Sequence, residues 1–165
     1  IRKASLSVIR EAAEAADNLG AETLVIHPGF CLEKDMFEKS YEALLLSIYD
    51  LGKMQEEFSV RFAVENLGSL DCCHFRFPDF VSILRDADLA FCLDVGHANL
   101  NGVLDEFLDS KPEHVHLHDN HGVWDEHAAV GSGDIDFSNV LELDATGIIE
   151  CMEYEAVLKS LEYLK

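Results

Sequence analysis

Leu89-Ala90-Phe91-Cys92-Leu93-Asp94-Val95-Gly96-His97 is the stretch whose reading decides the fold. Leu89 to Leu93 reads as a buried β-strand. It ends on the carboxylate of Asp94, and the imidazole of His97 follows three residues later. The same arrangement recurs on both sides. Thr23-Leu24-Val25-Ile26 is a short continuous apolar run, expected as a strand buried on both faces, and it ends in His27-Pro28-Gly29. Val60 to Val64 is the next strand and ends in Glu65-Asn66. His114 to His118 reads as a fourth strand and Gly147 to Ile149 leads into a fifth, which ends in Glu150.

Helical patterns fill the intervals. Ile1, Ala4, Val8, Ile9, Ala12, Ala16 and Leu19 recur with a helical period, and Gly20 is a natural stop. A long helix is expected to use Met36, Phe37, Tyr41, Leu44, Leu45, Ile48, Leu51 and Phe58 as its core stripe. Shorter helices are expected at Phe80 to Leu84, with Pro78 near the start, and at Leu104 to Leu108. An amphipathic helix from Tyr154 to Leu164 closes the chain. Strands alternating with helices imply an α/β fold, a parallel sheet covered by helices. With 165 residues, one domain over 1–165 is expected.

Thirty-two acidic against twelve basic residues give a net charge of −20. That balance disfavours extended binding to DNA or RNA, which needs Lys and Arg to neutralise phosphates. Anionic membrane surfaces are disfavoured for the same reason, and no stretch is apolar over the ~18 residues of a membrane span. Small molecules and cations remain as partners. The five cysteines form no CxxC pair, which suggests reduced thiols and a cytoplasmic location. No signal peptide is visible. The chain opens on Ile1 rather than Met, as expected of a processed chain or a piece of a longer one.

In parallel α/β folds, function sits beyond the carboxyl ends of the strands. Here every strand delivers an imidazole or a carboxylate to that end. Each has a plainer explanation: Asp94 to His97 fits a turn with the Asp bonding its own backbone, and His114, His116 and His118 fit a polar face. Their convergence points instead to a divalent metal, because imidazole nitrogen suits zinc and carboxylate oxygen suits zinc, manganese or magnesium. So many acids packed without a cation would repel one another. Trp124-Asp125-Glu126-His127 and Gly131-Ser132-Gly133 lie between the last two strands.

The series His-Pro-Gly, Glu-Asn, Asp-x-x-His, His-Leu-x-Asp, Asp-x-His, Gly-x-Gly-x-Ile and a final strand-end Glu resembles the xylose isomerase-like TIM barrels. That superfamily includes sugar (and sugar phosphate) isomerases and epimerases, and the family 2 apurinic/apyrimidinic endonucleases related to endonuclease IV. The resemblance runs from Leu24 to Glu150. It implies a (β/α)8 barrel of which this chain covers about the last five βα units, the C-terminal two thirds of about 250 residues. It implies a metal held by Glu65, Asp94, His116 and Glu150, with His27, His97, Asp125 and His127 as additional metal- or substrate-binding residues. Between one and three divalent ions, Zn, Mn or Mg, are implied. Five strands leave both sheet edges open, so a fragment, a smaller reclosed sheet, or completion by a second chain as a homo-oligomer are the alternatives.

Two chemistries follow from the resemblance. In a sugar isomerase or epimerase, Glu65 and Glu150 are the catalytic pair, one abstracting a proton and the other returning one. His97 would hold a substrate hydroxyl, and Trp124 an apolar face of the sugar. In an endonuclease IV-like phosphodiesterase, His27 and Glu65 hold one metal, the inner four residues a second, and His97, Asp125 and His127 a third. The net charge, with only Lys34 and Arg76 in the loops that would face a duplex, favours the small sugar. A non-catalytic metal-binding fragment is the third alternative.

Overall fold

The computed structural model describes residues 1–165. Five strands, β1 (Thr23–Ile26), β2 (Arg61–Glu65), β3 (Ala90–Asp94), β4 (His114–Leu117) and β5 (Thr146–Ile149), form one sheet in chain order. All four pairings are parallel. The helices are α1 (Arg2–Leu19), α2 (Phe37–Gln55), α3 (Val81–Asp86), α4 (Val95–Asn101), α5 (Leu104–Leu108) and α6 (Tyr154–Tyr163). No helix is long and apolar enough to cross a membrane.

The sheet curls into a half-barrel. Thr23 and Val25 of β1 line the same cleft, about 440 Å³, as His116 of β4 and Ile148 of β5 at the opposite edge. Side chains alternate along each strand, so the two faces differ in composition. Phe62, Val64, Phe91, Leu93, Val115 and Leu117 face outward into the main core under the helices. The Phe91 ring lies 5.5 Å from Phe75 and 5.2 Å from Phe107. Burying each such ring contributes about 1.5–3 kcal/mol, so this layer fixes the sheet against its helices. On the concave face, the small Ala63, Ala90 and Cys92 form a separate minor cluster.

Three details depart from the sequence reading. β1 is only half-buried over Thr23 to Val25, because as an edge strand it has one neighbour rather than two. β3, in the middle, is buried throughout. Helix α2 stops at Gln55 instead of continuing to Phe58. The Gln55 amide donates to the Val60 carbonyl (3.0 Å) and accepts from the Phe62 N–H (2.6 Å), tying the helix end to the start of β2. Phe58 then sits in the turn, 5.9 Å from the Phe62 ring. Finally, α4 has no counterpart in the sequence reading. Asp94 does accept from the His97 N–H (2.7 Å), as a turn would have it, but that bond is the N-cap of a helix closed by Gly102 in the left-handed region (φ 67°).

Candidate metal centre

The carboxyl ends of the strands bring the expected side chains together in two groups. The inner group is carried by the sheet. Glu65 ends β2, Asp94 ends β3, His116 lies within β4, and Glu150 follows β5. His116 Nδ1 is 2.9 Å from Glu150 Oε2, 3.3 Å from Glu65 Oε2 and 4.0 Å from Asp94 Oδ2. Despite these distances, Glu65 Oε2 and His116 Nδ1 are buried without a hydrogen-bond partner. Buried polar atoms are rarely left so. Mixed oxygen and nitrogen donors converging with unpartnered atoms fit a divalent cation.

The outer group is carried by α4 and by the long β4–β5 connection. The His97 Nδ1–H donates to the Asn66 carbonyl (2.9 Å), and the His127 Nδ1–H donates to the Glu150 carbonyl (2.8 Å). A carbonyl only accepts, so these bonds place a proton on each Nδ1. Both Nε2 atoms are thereby turned on the same oxygen, Asp125 Oδ2, at 3.2 and 3.1 Å. His97, His118, Asp125 and His127 each bring one donor within 4.8 Å of the others. Orienting imidazoles through the second nitrogen is how metal-binding histidines are commonly held.

Without a cation, imidazolium charge balances the carboxylates. Burial pushes the Glu65 carboxyl up, but the close approach of the His27, His97 and His116 imidazoles outweighs it and holds it at about 2. Burial pushes His97 down, but bonds to Asp125 and Glu65 and the charge of Asp94 raise it to about 11. His116 is likewise raised, its burial overcome by Glu150 and Glu65. The imidazole of His116, 2.9 Å away, holds Glu150 below its ordinary range, against partial burial. Cation binding would release these imidazole protons.

His27 reaches the inner group from the rim, with Nε2 3.2 Å from Glu65 Oε2 and its own side chain largely exposed. Trp124 is 62% exposed on the β4–β5 connection. Arg76, one of two cations expected near the mouth, is engaged by Asp71 (2.8 Å) and Asn101 (3.1 Å).

Several residues that matter here escape the sequence reading. His118 is fully buried. Its Nε2 lies 3.0 Å from Asp94 Oδ1, and its ring stacks on His127 with centroids 4.0 Å apart. His118 therefore touches both groups. Asn66 exchanges two bonds with the Asp94 backbone, at 2.8 and 3.0 Å, and clamps β2 to β3. Asp119 accepts from the backbone N–H of Asn120, Gly131, Gly133 and Ile135 at 2.8–3.2 Å. A side chain at Gly133 would meet Asp119 Oδ1 at 2.4 Å. The Gly-Ser-Gly loop is thus folded around an internal carboxylate. The only sequence signal for these roles is membership in the His-Leu-x-Asp and Gly-x-Gly motifs.

Comparison with known proteins gives concordant results. The family model described as "Xylose isomerase-like TIM barrel" matches residues 1–164. Two uncharacterized proteins of Methanocaldococcus jannaschii are similar. MJ1614 is 42% identical over 84% of this chain, and MJ1311 is 30% identical over 100% of this chain. The chain spans 56% and 62% of those relatives. Among solved structures, a D-tagatose 3-epimerase-like protein superposes with a TM-score of 0.89 at 28% identity, over 99% of this chain and 68% of the other. The TTHB071 protein from Thermus thermophilus, soaked with ZnCl2, gives 0.78 at 26% identity, with the same coverage of both chains. Over five consecutive βα units, the chain belongs to the xylose isomerase-like TIM barrel family.

Proposed function

We propose that this protein is a divalent-metal-dependent isomerase or epimerase of a small sugar or sugar phosphate, acting in the cytoplasm. In this reading, residues 1–165 form a single domain, the C-terminal two thirds of the barrel. The carrying observation is the convergence of Glu65, Asp94, His116 and Glu150 from four successive strands, with Glu65 Oε2 and His116 Nδ1 buried and unpartnered. Those four residues would hold the ion. When bound, it would polarise the substrate carbonyl and stabilise the negative charge that develops there.

The protein's own groups carry the proton. Glu65 and Glu150 are both ionised at neutral pH, as proton acceptors must be. One removes the proton from the carbon beside the carbonyl. The other, ionised in the resting site, takes a proton from solvent and delivers it to the opposite face for epimerisation, or to the neighbouring carbon for isomerisation. Trp124, exposed at the mouth, offers an apolar surface to a sugar ring.

The test is solvent exchange. With Mn2+ or Zn2+ and a panel of ketohexoses in D2O, deuterium should enter the carbon beside the carbonyl. Glu65→Gln and Glu150→Gln should each slow that exchange at least a hundredfold. Exchange unaffected by both substitutions would overturn the assignment.

A second reading is favoured by one observation. His97 and His127 are pre-oriented on Asp125 as a donor set that adjoins the inner one through His97, 3.4 Å from Glu65 and 3.5 Å from Asp94. Two or three ions per chain, with cleavage of abasic DNA at moderate salt, would move the assignment to a multinuclear phosphodiesterase. The net charge of −20 weighs against it.

A further inference from the structure

One pleat below the carboxylate centre, the bore of the half-barrel holds a donor set of different chemistry. In the β3–β4 register Cys92 stands opposite His114, while Asp94 stands opposite His116. Cys92 and His114 therefore face the same interior as the inner group, two residues earlier on each strand. Cys92, His114 and His116 each bring one ligating atom within 4.8 Å of the other two. His114 and His116 meet edge to face, with centroids 5.6 Å apart.

His114 is the decisive member. It is 5% exposed. Its Nδ1 lies 2.6 Å from the Thr146 hydroxyl, which itself donates to the Glu113 carbonyl. With the hydroxyl turned to that carbonyl, 3.5 Å away, its oxygen accepts from His114 Nδ1–H, the tautomer that leaves Nε2 free to ligate. Nε2 is left with a lone pair, buried and without a partner. The Cys92 thiol, fully buried, makes no hydrogen bond to it. Val25, Ala63 and Ala90 pack around Cys92, while the cleft between β1 and β5 that His114 and His116 line also carries Glu22, Thr23 and Thr146.

We propose that Cys92, His114 and His116 form a second metal site in the bore, suited to zinc or another thiolate-binding cation. One sulfur and two imidazole nitrogens are soft to borderline donors, whereas the layer above is dominated by carboxylate oxygen. The two layers sort cations by chemistry. Manganese and magnesium have no use for the lower layer; zinc suits either, and the two layers compete for His116, whose neutral ring offers one lone pair.

Binding breaks the Cys92 S–H bond, forms a sulfur–metal bond and releases one proton to solvent.

Cobalt titration of the metal-free chain tests this, because thiolate ligation gives Co2+ an intense near-ultraviolet charge-transfer band that oxygen and nitrogen ligands do not. We expect the band in the native chain and in Glu150→Gln. Cys92→Ser should abolish it. His114→Ala should weaken Co2+ binding, read from the band, at least tenfold. A variant with Cys31, Cys72, Cys73 and Cys151 replaced by Ser keeps Cys92 as the only thiol and leaves the bore untouched. It must retain the band. Cobalt binding without the band in the native chain, or loss of the band when Cys92 is the only thiol, overturns the proposal.

Discussion

The inner and outer groups at the mouth of the half-barrel use the same residue types and are held by different means. Glu65, Asp94 and His116 stand on the sheet, and their positions follow from strand register and pleat. His97, Asp125 and His127 stand on α4 and a connection, where no register applies. There the backbone carbonyls of Asn66 and Glu150 set the imidazoles, and Asp119 ties down the returning loop. A sheet positions donors as a by-product of its own hydrogen bonding. A loop must be given dedicated anchors, and those anchors are where it can be loosened.

The largest expected effect breaks the distinction, because it strikes the residue common to both groups. A side chain at Gly96 would meet His118 Cε1 at 2.0 Å. His118 touches Asp94 on one side and His127 on the other, so Gly96→Ala should disturb both groups at once. We expect about 3 kcal/mol of destabilisation in urea unfolding and loss of metal uptake at both groups. Uptake lost at only one of them would show that His118 does not couple the two.

Acid should separate the groups. Glu65 is held at about 2, below its unfolded value near 4.5. Its contribution is therefore present above pH 4.5 and is lost as pH falls through 2. At 1.36 kcal/mol per unit, the metal-free chain should lose roughly 3 kcal/mol over that window. Glu65→Gln should flatten this acid limb. Asp125 is also held below its usual range, by His97 against its own burial, but its side chain is 37% exposed. Asp125→Asn should change the limb far less.

A smaller effect sharpens the comparison further. Asp119→Asn weakens the acceptor of four backbone donors and should cost about 2 kcal/mol. Its consequence for metal should be selective. Occupancy of the outer group should fall, while the inner group, fixed by the sheet, keeps its affinity. Isothermal titration with zinc, in the native chain and the variant, reads both sites. Equal weakening at both would mean that the loop also supports the sheet-borne residues.

Much of this is legible in the sequence. The five strands, their parallel order and the delivery of His27, Glu65, Asp94 and Glu150 to one end follow from short apolar runs alternating with helical patterns, while the choice of His116 among the three histidines of the fourth run comes from the family resemblance. Parallel strands place all their carboxyl ends together, so the residue after each run is placed by topology alone. What the sequence misleads on depends on neighbours. Thr23 to Val25 has the composition of a buried strand but lies at an edge. Phe58 continues a helical stripe, yet Gln55 ends the helix by bonding to Val60 and Phe62. The Asp94 cap reads as a turn because the same hydrogen bond serves both.

That carboxylates and imidazoles gather at the strand ends is written in the chain's own alternation of strand and helix patterns. Only the tertiary structure decided their chemical states and supports. His97 takes its tautomer from Asn66, 31 residues away, and His127 takes its own from Glu150, 23 residues away. Asp119 fills the Gly131 to Gly133 loop from 12 to 14 residues away, and His114 is left with a free nitrogen because Thr146, 32 residues on, takes the other. Each is a contact between distant segments with specific geometry, and no local pattern of apolar and polar residues encodes such a contact.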